Sequence, residues 1–464
     1  RTEKLYVLLS QEDFSEQRSL EKEPAPEVTK PLHGASHCSH VGLERRMALL
    51  WWEIFIVVFF VLAVLLPAAV IAFKPQWVFF SRGAKKSNAE TINLVRTFMT
   101  HYSLPLGMDP LHRQLCLAFM DPFVKTVYSL FAILPDPWMV AICRAVDAFP
   151  GNTLRYILHA IIGRTHLIDH VVTEGIKRAG LGRCQWVLLG AGYDNRTYRM
   201  APLRQAYQVA TFEVDQEPLQ QDKLRRLRKC AAVPPSAYED VKYVTCNFNT
   251  ERVQDVLLSA NYQPGKRTIF LLEGVSMYLT KEGFAQTLAA IKELCPDDCT
   301  LTFDYVDERV INAYNGRTDI VDPPTPPLGS PRSVESTTLD EGMSDCEEGA
   351  MVVDKKTAAS KKEEVASRAS TPLTAEERRY GVQYCSVLER NQTPVTFGLD
   401  PSRLETQMAE HGYEIVQHWS PDELAQQFLK WPGGKESKHG GEIVSRACTY
   451  FYYCTVRPVR GSAV

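Results

Sequence analysis

Gly190-Ala191-Gly192 ends a short apolar run of strand type, Trp186 to Leu189, and a polar turn containing Asp194 follows it. A buried strand that ends in glycine lets an open α/β sheet bring its backbone against a nucleotide-like ligand at the carboxyl ends of its strands. A full G-x-G-x-x-G would need glycine at position 195, where the chain has Asn195, so the glycines alone do not mark a dinucleotide site. The next strand-type run, Gln208 to Asp215, ends in Glu213 and Asp215 about twenty residues after the glycines, where an acidic side chain accepts the hydroxyls of a ribose. Asp215 is the first choice for that contact and Glu213 the alternative; a plain strand-end salt bridge is the bland reading of either. A third carboxylate, Glu273, directly follows the apolar run Thr268 to Leu272, and burial there is costly unless the group is paired or solvated. The glycines and the acidic strand end together describe a nucleoside site. Asp194 reads either as part of it or as a turn-former.

The elements that must hold these residues are legible around them. Strand-type runs at 184–190, 208–215, 241–248, 267–273 and 299–306 alternate with helical segments, and Tyr413–Trp419 and Ala447–Val456 would complete a sheet. Such alternation predicts an α/β fold with a parallel, doubly wound sheet and right-handed crossovers. Upstream, the periodicity predicts helices over Ala89–Tyr102, Pro110–Tyr128, Pro137–Phe149 and Thr153–Ala179.

The remaining stretches differ in kind. Residues 1–47 are polar, without a sustained apolar period, and are expected to form a disordered tail. His33, His37, Cys38 and His40 lie in it, but a tail without a fold does not fix metal-ligand geometry, and no metal is expected. Residues 48–73 are apolar with one charge, Glu53, and are long enough as a helix to cross a bilayer of roughly 30 Å. A single transmembrane helix is therefore expected, with Trp51, Trp52 and Trp77 near its ends. Basic residues flank both sides, with a slight excess at Lys74, Arg82, Lys85 and Lys86, which favours a cytosolic domain after the helix. The sequon Asn195-Arg196-Thr197 sits inside the glycine loop, where a glycan would obstruct the site, and this points the same way. Residues 316–378 are rich in Pro, Ser, Thr and charge and are expected to be a disordered insertion, either passive or phosphorylated at Ser330-Pro331 and Thr371-Pro372. A net charge of −3 gives no electrostatic case for nucleic acid, and 12 scattered cysteines suit free thiols better than a disulfide framework or zinc site.

Several motifs in order carry a resemblance. LGAGYDNRTYR at 189–199, FEVDQ at 212–216 and FLLEGVSMYLT at 270–280 resemble consecutive motifs of the S-adenosylmethionine-dependent methyltransferases of the leucine carboxyl methyltransferase superfamily, most closely its bacterial polyketide-type O-methyltransferase branch. SNAETINLVR at 87–96, Asp109-Pro110, GRTHLID at 163–169 and FGLDPSRLETQMAEHGYEI at 397–415 fall in that branch's order, so the likeness covers residues 87–456 except the insertion. It implies a class I methyltransferase Rossmann-like sheet with N-terminal cap helices, its last strand antiparallel, built from residues 87–315 and 379–456. It also implies S-adenosyl-L-methionine as cofactor. By resemblance Arg164 grips the methionyl carboxylate, a bidentate task suited to guanidinium, although a surface helix arginine is the bland reading. Arg96 matches a recurring arginine of the branch, Gly190 and Gly192 admit the backbone to the cofactor, Asp215 takes the ribose, and Glu273 lies near the methionyl end. The family's Asp-Leu after the third strand is replaced here by Cys246-Asn247-Phe248-Asn249, so Asn247 would meet the adenine without charge.

Methyl transfer from a sulfonium depends mainly on holding nucleophile and methyl in line. No catalytic residue is assigned: a carboxylate acceptor needs no base, and a hydroxyl acceptor would need one, with His166 or Tyr278 as candidates. The reading is a membrane-anchored O-methyltransferase acting on a small-molecule or lipid-like acceptor. A protein C-terminal carboxyl group is the alternative acceptor, and a non-catalytic membrane-tethered cofactor-binding protein is the rival of another class. An α/β-hydrolase, suggested by Gly274-Val275-Ser276-Met277-Tyr278 after a strand, would want glycine at Tyr278.

Overall fold

The computed structural model describes residues 88–103, 110–131, 154–248, 250–316, 373–390, 393–429 and 450–459. The 1–47 tail with its histidines, the 48–73 apolar span, the helix expected over Pro137–Phe149 and most of the 316–378 insertion lie outside the described residues. Among the described residues no helix is long and apolar enough to cross a membrane.

Among the described residues seven strands build one sheet: β1 Gln185–Leu189, β2 Ala210–Asp215, β3 Lys242–Thr245, β4 Thr268–Leu272, β5 Cys299–Val306, β6 Tyr413–Trp419 and β7 Phe451–Pro458. Their order is β3-β2-β1-β4-β5-β7-β6. The first five pair in parallel, and β7 runs antiparallel between β5 and β6. This is the doubly wound, Rossmann-like arrangement expected of a class I methyltransferase fold.

The helices in chain order are α1 Asn88–Ser103, α2 Pro110–Ala118, α3 Pro122–Phe131, α4 Leu154–Ala179, α5 Arg196–Arg199, α6 Ala201–Ala206, α7 Glu217–Leu227, α8 Val253–Ser259, α9 Lys281–Leu294, α10 Glu308–Tyr314, α11 Ala375–Arg390, α12 Leu404–Glu410 and α13 Pro421–Phe428. The single helix expected over Pro110–Tyr128 is instead two, α2 and α3. Pro122 has no N–H to continue α2 but suits the first turn of α3, where Asp121 Oδ1 accepts from Val124 N at 3.3 Å. α11 begins at Ala375, inside the stretch expected to lack periodicity, and packs on α10.

Why β1 and β4 read as unbroken apolar runs is plain from their two covered faces. Trp186 and Leu188 of β1, with Ile269 and Leu271 of β4, pack against Ile168, Val172 and Ile176 of α4. The alternate residues Val187, Leu189, Phe270 and Leu272 face Phe284, Leu288 and Ile291 of α9. A Cβ at Gly175 would lie 2.7 Å from Ile269 Cδ1, so α4 sits close on the sheet. Burying each such Leu, Ile or Phe contributes about 1.5–3 kcal/mol, which anchors α4 and hence the polar side chains at its other end.

Gly190 takes φ +73°, and a Cβ there would meet Val275 Cγ2 at 2.4 Å. The turn after β1 and the loop after β4 therefore touch at a point that only glycine leaves open. Gly190→Ala should lose roughly 1–2 kcal/mol for the left-handed backbone and about 1–3 kcal/mol more for the overlap, read as a lower urea midpoint. A midpoint within error of the wild type would contradict this packing.

Candidate functional site

A cavity of about 390 Å³ opens at the carboxyl ends of β1, β2 and β4. The strand order reverses between β1 and β4, and a doubly wound sheet opens its ligand crevice at that reversal. Six of the seven residues expected at the site line it: Arg96, Arg164, Gly190, Gly192, Asp215 and Glu273. Asn247 does not; its backbone N–H donates to Glu251 Oε2 at 2.7 Å, and Phe248 beside it lines the cavity instead.

Glu273 is the most constrained of the six. Its Oε1 lies 2.5 Å from Arg96 Nη2 of α1 and 2.8 Å from Arg164 Nε of α4, and its Oε2 accepts from Arg196 Nη1 of α5. Burial alone would raise the carboxyl, but the guanidiniums of Arg196, Arg96 and Arg164 hold it far below the ordinary carboxylate range. Arg164 Nη1 also donates to Asp304 Oδ2 at 2.5 Å, and Arg196 Nη1 to Asp194 Oδ2 at 2.5 Å. With Asp169, which Arg196 and Arg199 share, four guanidiniums and the four carboxylates of Glu273, Asp194, Asp304 and Asp169 thus form a formally neutral cluster. Arg164 is buried rather than on a helix surface, and its donors face Asp304 and Glu273. Arg96 Nε is buried without a hydrogen-bond partner among the described residues.

Asp215 closes the opposite side. Its Oδ2 accepts from Gly192 N at 2.5 Å and its Oδ1 from Gln216 N at 2.7 Å, so the carboxylate is fixed against the glycine turn. Burial raises its pKa above the ordinary value, and the two N–H donors offset only part of that. Glu213, the alternative to Asp215, is 1% exposed and turned away: Oε2 accepts from Lys223 Nζ at 2.7 Å and from Tyr198 OH at 3.0 Å. It is a core ion-pair partner and not a cavity residue.

Two members of the cluster escaped the sequence reading. Arg196 was seen only as the middle of a sequon, yet it is 1% exposed and joins Glu273, Asp194 and, through Nε at 2.8 Å, Asp169. Asn195 is 1% exposed as well, with Oδ1 accepting from Arg199 Nε at 3.1 Å, so a glycan on it is incompatible with this fold. Asp304 accepts from Gly274 N at 2.6 Å as well as from Arg164. It is a carboxylate inside the apolar run of β5, and the cost argument that singled out Glu273 applies equally to it.

Of the two candidate bases, Tyr278 lines the cavity and His166 does not. Burial lowers the His166 pKa, opposed by Asp169 and reinforced by Arg199 and Arg196. Ser276, the nucleophile of the hydrolase reading, is fully buried and donates its hydroxyl to the Asp304 carbonyl. It is no exposed elbow.

The Glu213–Lys223 pair yields a test that separates core from site. Lys223→Met should cost about 3–5 kcal/mol by stranding a buried carboxylate, and Glu213→Leu added to it should recover most of the loss. Chemical denaturation of both variants checks this; an equally unstable double variant would show that the pair is not self-contained.

Residues 132–292 match the family model described as leucine carboxyl methyltransferase. "Putative S-adenosyl-L-methionine-dependent methyltransferase YktD" of Bacillus subtilis is 34% identical over 133 residues, 29% of this chain and 42% of that protein. A "Putative S-adenosyl-L-methionine-dependent methyltransferase" of Mycolicibacterium gilvum is 25% identical over 194 residues, 41% of this chain and 61% of that protein. The match thus spans less than two thirds of either relative. A solved structure titled as a putative methyltransferase from Thermobifida fusca superimposes with TM-score 0.38 at 12% identity, covering 70% of this chain and 88% of that one. Residues 132–292 are thus similar to the leucine carboxyl methyltransferase family, and the chain is similar over part of its length to proteins named S-adenosyl-L-methionine-dependent methyltransferases.

Proposed function

We propose that this chain is an S-adenosyl-L-methionine-dependent O-methyltransferase held at a membrane by residues 48–73, acting on a small-molecule or lipid-like acceptor. The observation that carries the cofactor part is the Asp215 carboxylate, fixed by the Gly192 N–H on the cavity wall beside the Gly190 turn. The residues present suit the cofactor. Asp215 would take the ribose hydroxyls, the glycine turn would admit the nucleoside, Phe248 would pack on the adenine, and the Arg96 Nε–H, buried without a hydrogen-bond partner among the described residues, would receive the methionyl carboxylate. When bound, S-adenosyl-L-methionine supplies an electrophilic methyl group on its sulfonium. Arg164 and Glu273 hold one another and keep the cavity wall fixed, so that positioning carries the rate.

The O-acceptor reading draws on the resemblance to the polyketide-type branch. The family description favours a carboxyl acceptor such as a protein C-terminus as the second reading. A cytosolic domain agrees with the buried sequon at Asn195 and with the basic residues after position 73.

Asp215 tests the cofactor site. Asp215→Ala should lower S-adenosylmethionine affinity about ten- to a hundred-fold, the equivalent of roughly 1.5–3 kcal/mol for a hydrogen bond to a charged group. Asp215→Asn keeps an acceptor for Gly192 N–H and should keep the wild-type melting temperature while still losing affinity. Because burial raises the Asp215 pKa, wild-type affinity should fall on acidification at a higher pH than an ordinary aspartate would give, as the carboxylate of the ligand-free protein is protonated. Equilibrium dialysis with labelled cofactor reads the affinities and thermal denaturation the melting temperature; unchanged affinity in both variants would remove Asp215 from the site.

A further inference from the structure

The cavity has two chemically distinct ends. At β1 and β2 it is lined by Gly190, Gly192 and Asp215; beyond β4, toward β5 and β7, by Met277, Tyr278, Tyr384, Phe451 and Tyr453, bordered by Arg164, whose guanidinium is held by Glu273 and Asp304. Tyr384 comes from α11, which packs on α10 outside the sheet. Its ring lies 5.3 Å from Phe451, edge-on, and 5.8 Å from Tyr450, and its hydroxyl donates to Met277 Sδ at 3.3 Å. Gly381 sets this position. A Cβ there would lie 2.5 Å from Val310 Cγ1, so α11 can approach α10 this closely only with glycine, and Tyr384, three residues on, shares that face of the helix.

Resting on the cofactor reading above, we propose that this second end receives the methyl acceptor, that Tyr384 sets the size it admits, and that the acceptor carries a flat, uncharged ring system. Four aromatic side chains and a methionine offer offset stacking, edge contacts and sulfur contacts to a ring, and the charge at their border, Arg164, is already paired with Glu273 and Asp304. A charged body would be desolvated there unpaired. A straight alkyl chain would fill the space without using the aromatic faces. Gly381 acts as a positioning residue and Tyr384 as the selecting one.

The test uses the 464-residue chain in detergent, with phenol, 2-naphthol, 1-hydroxypyrene, 2-naphthalenesulfonate and 1-decanol as probes. Affinities are read by saturation-transfer NMR with and without S-adenosylhomocysteine. The wild type should bind 2-naphthol at least about ten-fold more tightly than 2-naphthalenesulfonate and more tightly than 1-decanol. Tyr384→Ala should move the preference toward 1-hydroxypyrene by about ten-fold, and Tyr384→Trp should move it toward phenol, with S-adenosylhomocysteine affinity unchanged in both. Equal binding of the sulfonate, a preference for decanol, or one ranking shared by all three proteins would overturn the proposal. Ring discrimination that persists while S-adenosylhomocysteine fails to bind would overturn the cofactor reading and leave the ring site standing.

Discussion

Everything at the mouth of this sheet depends on the Glu273 carboxylate held by Arg96, Arg164 and Arg196. The three guanidiniums come from α1, α4 and α5, elements far apart in the chain, and meet on one side chain at the end of β4. Breaking a buried pair by removing one partner typically costs about 3–5 kcal/mol, far more than the net gain from making it, so each arginine fixes its helix against the strand end. The cap helices therefore sit where they do because a carboxylate that cannot be left alone sits beneath them. Asp304 and Asp194, and Asp169 shared with Arg199, balance the charge and tie in the neighbouring elements.

The second constraint is steric. β1 and β4 are adjacent where the sheet order reverses, and their loops must pass one another at Gly190 and Val275. With the loops this close, a cavity opens above them rather than between the strands. Asp215, one strand further out, fixes the turn through Gly192 N–H and faces the same space. The ionic cage on one side and the backbone-held carboxylate on the other give the cavity two rigid polar walls, while the region toward β7 is left to aromatic side chains.

Much of this was legible in the amino-acid sequence, and the reasons differ by residue. The strands were readable because two-faced burial leaves continuous apolar runs such as QWVLL and TIFLL, and Asp215 and Glu273 stood out as charges at their ends. Asp304 is equally out of place within β5, but it lies inside the strand, with Tyr305 and Val306 after it, and no strand end marks it. Arg196 carried no local signal, since an arginine in a polar turn is ordinary until the fold brings three carboxylates to it. Asn247 was carried over from a family position, but the chain there bends back to Glu251 and offers Phe248 to the cavity. Tyr384 was beyond reach for another reason: its contacts with Met277 and Phe451 span 107 and 67 residues of chain, a separation that no local pattern reports.

The cofactor reading requires the space between the arginine cage and Asp215 to be a nucleoside site. The most direct measurement is a calorimetric titration of the 464-residue chain with S-adenosylhomocysteine. The account predicts saturable heat at one site per chain, with the melting temperature raised in proportion to ligand occupancy. A chain that melts cooperatively yet gives no saturable heat at millimolar ligand would contradict it.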